Sequence, residues 1–195
     1  GRYGRGSWRR SDGAARGSTD AVMALESGSC DVLLCYHHPH QPVLLDPARY
    51  DMLALGEETL RPYARRTASG QPAFSLPGSP QQPIPFLAYA AGAYLERMVA
   101  LMVANGEEIL HLTPCYETDM AEGLKSMVLE GHGLAFLPDS AVCGEVERGQ
   151  LAVAGDARWQ LNMEIRLYRE HRSSKPLVNM LWQHLRESTV RRRRP

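Results

Sequence analysis

The run His37-His38-Pro39-His40, preceded by Tyr36, holds the sequence's densest set of groups able to do chemistry. Imidazole ligates transition metals and exchanges protons near neutral pH. Adjacent histidines in a proline-bearing loop rarely converge on one ion, and neither a cysteine nor an acid stands at ligand spacing, so a surface loop is expected and no metal site. Cys35 lies two residues before His37, the nearest approach to a thiol–imidazole pair. A nucleophile also needs a third, orienting group, and there is neither a G-x-S-x-G elbow nor a phosphate loop. His111, expected in a strand, and His184, expected on a helix, are read as packing residues. The eight methionines mostly occupy apolar helix faces, where packing is their ordinary role. Met120 differs, because it falls in a helix's first turn. No catalytic residue and no cofactor are expected.

The elements that must position these groups are bounded by composition. The 195 residues are 44% apolar and 23% charged, which describes a globular protein of one domain or two small lobes. The 22 basic and 22 acidic residues balance, but unevenly along the chain. Residues 1–18 carry five Arg against one Asp, residues 190–195 carry four more Arg, and the body between is net acidic. An acidic body does not attract a phosphate backbone, so nucleic-acid binding by this part is not expected. Cys30, Cys35, Cys115 and Cys143 are too few for a disulfide scaffold, and none form C-x-x-C; Cys35, Cys115 and Cys143 are expected to be buried free thiols. The apolar stretch 84–104 is broken by Pro85, Gly92 and Glu96-Arg97, which predicts a strand and a helix rather than a membrane span. No secretory signal opens the chain. A soluble, cytoplasmic α/β protein without membrane contact is the expectation.

Residues 1–18 contain no Leu, Ile, Val, Met or Phe, and read either as a flexible basic arm or as an artefactual start. Ser18-Thr19-Asp20 then predicts a capped helix that Gly28 stops. CDVLLCY is a continuous apolar run suited to a strand buried on both faces. YDMLALGEETLRPYAR reads as a strand and its exit, and residues 67–83 as a surface loop. PFLAY, Glu108–Leu112, GLAFLP, LAVA and MEIRLY are further strands. Helices are predicted over Ala93–Asn105, after a Thr118 cap, from Pro138-Asp139-Ser140 to Gly149, and over Pro176–Glu187. Alternation of this kind implies parallel sheets with helices on their faces.

Several stretches together, DAVMALESGSCDVLLCY, YDMLALGEETLRPYAR and above all DMAEGLKSMVLEGHGLAFLPDSAV, resemble the effector-binding domain of LysR-type transcriptional regulators. A helix ending at Gly131-x-Gly133, a strand, and Leu137-Pro138 opening the next helix follow the family pattern. The resemblance implies a two-lobed, periplasmic-binding-protein-like (type 2) α/β fold, with residues 19–58 plus 162–190 as lobe I, 59–161 as lobe II and 1–18 as a tail. Lobe I reads as truncated, since two strands and a helix expected before Asp20 are absent.

The family binds a small-molecule or oxidant effector between its lobes. The matching positions here are Glu57, Tyr89, Ala90, Gly92, Tyr94, Leu95, Tyr116, Thr118, Asp119, Met120, His132 and Gly133. The resemblance further implies a homodimer or tetramer, and DNA contact only through a winged helix-turn-helix missing from this chain. It implies a sensing domain and not an enzyme. IPFLAYAAGAYLERM and CYETDMAEGLKSMVLEGHGLAFLP are similar to the hypochlorite-responsive branch, where methionine oxidation is the signal. Leu95 stands where that branch carries its main methionine, and Met120 matches another. Two alternatives share some features: a stand-alone solute-binding protein of the same fold, and a cysteine-based redox protein, which would need a thiol of depressed pKa.

Overall fold

The computed structural model describes residues 16–171 and 173–192, so the expected tail lies outside the described residues up to residue 15. Two compact units divide the chain: a central unit, Thr59–Leu161, and a split unit built from Arg16–Glu58 and Asn162 onward.

The split unit opens with α1 (Arg16–Glu26), which starts ahead of the expected Ser18-Thr19 cap. Gly28 ends it at φ 74°, a left-handed turn that side-chain-bearing residues resist. Strands β1 (Val32–His37), β7 (Leu161–Glu170) and β2 (Tyr50–Arg65) follow in the spatial order β1-β7-β2, and α5 (Pro176–Arg192) completes the unit. Leu25 of α1 packs with Leu33, Tyr50 and Tyr168, bordered by Ala21, Val22, Cys30, Cys35, Val43 and Leu45. On α5, Val178 and Trp182 are buried, and the Arg169 guanidinium lies 4.5 Å from the Trp182 ring.

An Asp51 carboxylate joins three elements here. It accepts from Arg169 Nε at 3.1 Å and pairs with His171 Nδ1 at 2.7 Å, while Arg169 Nη1 reaches Asn179 Oδ1 at 2.7 Å. Burial would raise the Asp51 pKa, but the hydrogen bonds from His171 and Arg169 together hold it below the usual carboxylate range.

The central unit contains the second half of β2, then β3 (Ile84–Tyr89), α2 (Tyr94–Asn105), β4 (Leu112–Thr118), α3 (Ala121–Leu129), β5 (Ala135–Pro138), α4 (Asp139–Glu147), β6 (Leu151–Val153) and a 3-10 turn at Ala157–Trp159. β2 pairs with β5 and β6, and β3 pairs with β4. A parallel bridge from Phe86 to Leu134 sets β5 beside β3. All four residues of β5 are buried, and α3 turns Leu124 and Val128 inward.

Strand sense and burial depart from expectation. β1–β7, β2–β5 and β2–β6 are antiparallel, and among the described ladders β3–β4 runs parallel. Apolar runs report burial, not direction, so composition alone could not distinguish these cases. Nor is β1 buried on both faces. It is the end strand of its sheet, and Leu34 is 62% exposed. YDMLALGEETLRPYAR is one continuous strand rather than a strand with an exit. The strand expected over Glu108–Leu112 instead starts at Leu112 and runs through Pro114. Phe86 opposes Pro114 and Leu87 opposes Tyr116, so Cys115 is the extra residue of a bulge and accommodates the proline.

Candidate functional site

Parallel strands flanked by helices bring helix starts to the carboxyl ends of the strands, where unpaired main-chain N–H groups gather. In the central unit that edge lies where β3 and β4 end. Tyr89 and Thr118 face each other as the last pair of the ladder. The Ala90 N–H donates to the Thr118 carbonyl at 2.9 Å, which holds the two exit loops side by side. The β3 loop then turns through Gly92 at φ 86°, closed by the Ala93 N–H donating to the Ala90 carbonyl at 3.0 Å.

Neither helix is capped by a side chain. Ala93 is the N-cap of α2 and Met120 the N-cap of α3, and neither carries an oxygen. Thr118 was expected as the cap, but it belongs to β4. Its Oγ1 accepts from the Met120 N–H at 3.3 Å, and its methyl supports the helix at Gly123, where an added Cβ would come within 3.2 Å. Neither N-cap side chain therefore accepts from the first-turn N–H groups, which carry the partial positive charge of a helix start, although the Gly123 N–H of α3 donates to the Met120 carbonyl at 3.1 Å.

Charge separates the two helix starts. At α2, Arg97 folds back so that Nη1 donates to the Gly92 carbonyl at 3.2 Å, with the guanidinium 5.6 Å from the Tyr94 ring. At α3, the exposed Glu117 and Asp119 oppose the helix potential, and Glu122 is paired with Lys125 at 2.8 Å. α2 also carries an acid in its first turn, Glu96, so it is the Arg97 guanidinium that distinguishes the α2 start as a candidate seat for an anion. Arg97 was not among the expected site residues. The available signal was its position three residues after Tyr94, which places both on one helix face.

The expected site residues divide into groups. Tyr89, Ala90, Gly92, Tyr94, Leu95, Thr118, Asp119 and Met120 come together at the carboxyl edge of β3 and β4. Tyr116 lies further back on β4, opposite Leu87. His132 and Gly133 are not brought to this edge. They precede β5 at the other end of the strands, where the Leu134 N–H donates to the Pro85 carbonyl at 2.9 Å. Pro85 and Ala90 are five positions apart, roughly 16 Å of extended chain. Gly131 takes the left-handed turn at φ 84°, whereas Gly133 has no positive φ. What Gly133 provides is close approach: a Cβ there would meet Pro85 O at 2.5 Å. Glu57 is exposed on β2 in the split unit.

Histidine and cysteine chemistry finds no focus. His38 and His40 stack with ring centroids 5.3 Å apart instead of converging, and burial lowers the pKa of both His37 and His38. Among the described residues no group of three or more His, Cys, Asp or Glu is placed to hold a metal ion. His111 stands just outside β4, and His184 is exposed on α5. Cys115 and Cys143 are exposed rather than buried. Burial raises the thiol pKa of Cys35, with Arg166 pulling the other way, and burial also raises that of Cys115. A reactive cysteine needs the opposite shift. No helix among the described residues is long and apolar enough to cross a membrane.

Strand ends meeting uncapped helix starts define the class of α/β domains that bind small ligands at a strand edge. The family itself follows from comparison with known proteins. The model of the LysR substrate binding domain matches residues 15–189, and the chain belongs to that family, the effector-binding regulatory domain of LysR-type transcriptional regulators. It is 29% identical over 171 residues to the HTH domain-truncated transcriptional regulator QseD of Escherichia coli O157:H7, covering 88% of this chain and 67% of that protein. It is 28% identical over 171 residues to the HTH-type transcriptional regulator YjiE of Escherichia coli K12, covering 88% of this chain and 54% of that one. The chain thus spans about two thirds of one curated relative and about half of the other. The regulatory domain of HypT from Salmonella typhimurium superposes with a TM-score of 0.76 at 24% identity, over 88% of this chain and 78% of that one, a likeness of fold. The periplasmic-binding-protein-like type 2 fold is therefore the fold of this chain.

Proposed function

We propose that the effector is a small anionic molecule seated at the start of α2 in the central unit. Leu95 and Glu96 N–H groups, Tyr94 and Arg97 would receive its acidic group, with Thr118 and Met120 beside it. The observation that carries this reading is the pairing of an uncapped helix start with a guanidinium held over its first turn. Backbone N–H groups at a helix N-terminus favour an anion, and a planar guanidinium matches carboxylate or oxyanion geometry. In this reading the domain acts as a sensor, in keeping with its membership of a family of regulatory domains. In the whole regulator, effector binding would bias a dimer or tetramer whose DNA contact comes from a winged helix-turn-helix outside this chain.

Thermal-shift screening against small carboxylates and oxyanions tests the proposal. A hit should raise the melting temperature in a saturable way, and Arg97→Ala should weaken its binding by at least about tenfold. Equal affinity in that variant refutes the seat.

Exposure of Met120 favours a second reading, in which an oxidant acts on its sulfur. Met120 is 63% exposed, and a sulfoxide would turn this apolar cap polar. Leu95, at the other position the family resemblance implicates, cannot be oxidised in this way. The anion reading expects Met120→Leu in the full-length regulator to keep any hypochlorite response nearly intact. Loss of a robust response would restore oxidation.

A further inference from the structure

We propose that the His38-Pro39-His40 turn is a proton-operated latch of the split unit: neutral imidazoles hold it closed, and mild acid opens it. The turn follows β1 directly and is closed by two hydrogen bonds. The Gln41 N–H donates to the His38 carbonyl at 2.9 Å, which gives a bridge between His38 and Gln41. The His40 N–H donates to the His38 ring at Nδ1, 3.2 Å. That second bond exists only while Nδ1 keeps its lone pair, so it requires the neutral ring with its proton on Nε2. A proton on Nδ1 sets donor against donor and breaks it. The same two residues stack their rings, with centroids 5.3 Å apart and planes 24° from parallel. Two neutral imidazoles tolerate that contact, whereas two imidazolium cations repel across it.

The surroundings offer an added proton no counter-charge. Glu164 of β7 stands opposite His37 in the β1–β7 ladder, but its Oε2 is taken by Arg166 Nε at 2.6 Å. His37 Nδ1 is buried without a hydrogen-bond partner. Glu58, a buried acid of β2, acts on Tyr36 of β1. Among the described residues no carboxylate pairs with His37, His38 or His40, whereas His171 has Asp51. Burial lowers the pKa of His38, and His40 lowers it further. Burial, Arg166 and His38 lower that of His37 against the pull of Glu164. The sign follows from these depressed values. Closure is complete above the free-histidine value of about 6.5 and is lost as pH falls through the folded value.

The segment after the turn is what the latch holds. Val43 and Leu45 pack against the core of Leu25, Leu33, Tyr50 and Tyr168. At the far end of the segment the Asp46 carbonyl accepts the Arg49 and Tyr50 N–H groups at 3.0 and 2.9 Å. The histidine turn and Asp46 thus anchor the two ends, and opening the turn releases one of them. This latch lies in the split unit and operates without the anion seat of the central unit, so acidity and effector would be read through separate elements.

NMR titration of the chain from about pH 8 to about pH 5 tests the latch, since histidine changes charge in that range. At the alkaline end His38 should carry its proton on Nε2 alone, and its midpoint should lie below that of free histidine. Exchange protection of the His40 N–H should drop by about tenfold or more between about pH 7.5 and about pH 5.5. Nuclear Overhauser contacts from the Val43 and Leu45 methyls to Leu33 should fade with it. His38→Asn separates protonation from structure, because the Asn side chain accepts the N–H two residues on and does not titrate. That variant should keep the turn closed at both pH values, His38→Ala should leave it open at both, and His184→Gln on α5 should behave as the parent does. A His38 midpoint at or above the free value, protection that persists through the titration, a loss shared equally by α1 and β7, or an unchanged pH response in His38→Asn would overturn the proposal.

Discussion

Gly133→Ala inserts one carbon where two strands touch. The new Cβ would lie 2.5 Å from the Pro85 carbonyl oxygen, 3.1 Å from its carbonyl carbon and 3.2 Å from Leu87 Cγ. The nearest atoms are backbone, so no flexible side chain can swing aside. Restoring contact distance requires β5 and β3 to separate by roughly 1 Å. Two hydrogen bonds span that gap, Leu134 N–H to the Pro85 carbonyl and Leu87 N–H to the Leu134 carbonyl, each 2.9 Å. Losing them costs about 1 kcal/mol each, and overpacking adds about 1–3 kcal/mol, for a destabilisation of about 3–5 kcal/mol. For a protein of this size each kcal/mol moves the melting temperature by about 2–4 °C, so a fall of about 6–20 °C is expected. Circular dichroism melts of Gly133→Ala beside Gly56→Ala make the comparison, because a Cβ at Gly56 meets nothing within 4 Å. Gly56→Ala should stay within about 0.5–1 kcal/mol of the parent. If Gly133→Ala melts within about 1 °C of the parent, the close-approach role is wrong.

Two further outcomes follow from the charge environments. The Asp51 pKa is depressed in the fold, so its contribution is present above the unfolded value near 4 and is lost as pH falls through the folded value. Asp51→Asn should therefore flatten the fall in melting temperature below about pH 4, and an unchanged acid limb would refute the role of the Arg169–His171 clasp. Cys115 is exposed yet its thiol pKa is raised by desolvation, so iodoacetamide labelling should reach half its maximal rate at a higher pH than for a free cysteine. Labelling with a midpoint below that of free cysteine would revive a redox role.

Local signals determined much of the secondary structure. Gly28, Gly131 and Gly149 end helices at φ 74°, 84° and 69°, because only glycine enters that region at little cost. Met98, Val99 and Met102 are buried on α2 and Leu124 and Val128 on α3, as their helical spacing required. Family membership was also legible, in the segment from Asp119 to Val142. The strand-end residues of the candidate site could be named because the family resemblance implies an effector site where strands give way to helices, and local composition marks where those boundaries fall. Tertiary structure decided what depends on partners distant in the chain. The antiparallel setting of β1 on β7 joins residues more than a hundred positions apart, and no property of VLLCYH encodes it. The bulge at Cys115 exists because Pro114 must fit beside Phe86. Gly133 looked like a second turn glycine, but the Pro85 carbonyl makes it a contact glycine and leaves His132 at the far end from the helix starts. Arg97 gained meaning only when folding set it over Tyr94 and the Gly92 carbonyl. Residue type and periodicity act over one or two turns of chain, whereas a site is made of the neighbours that packing supplies.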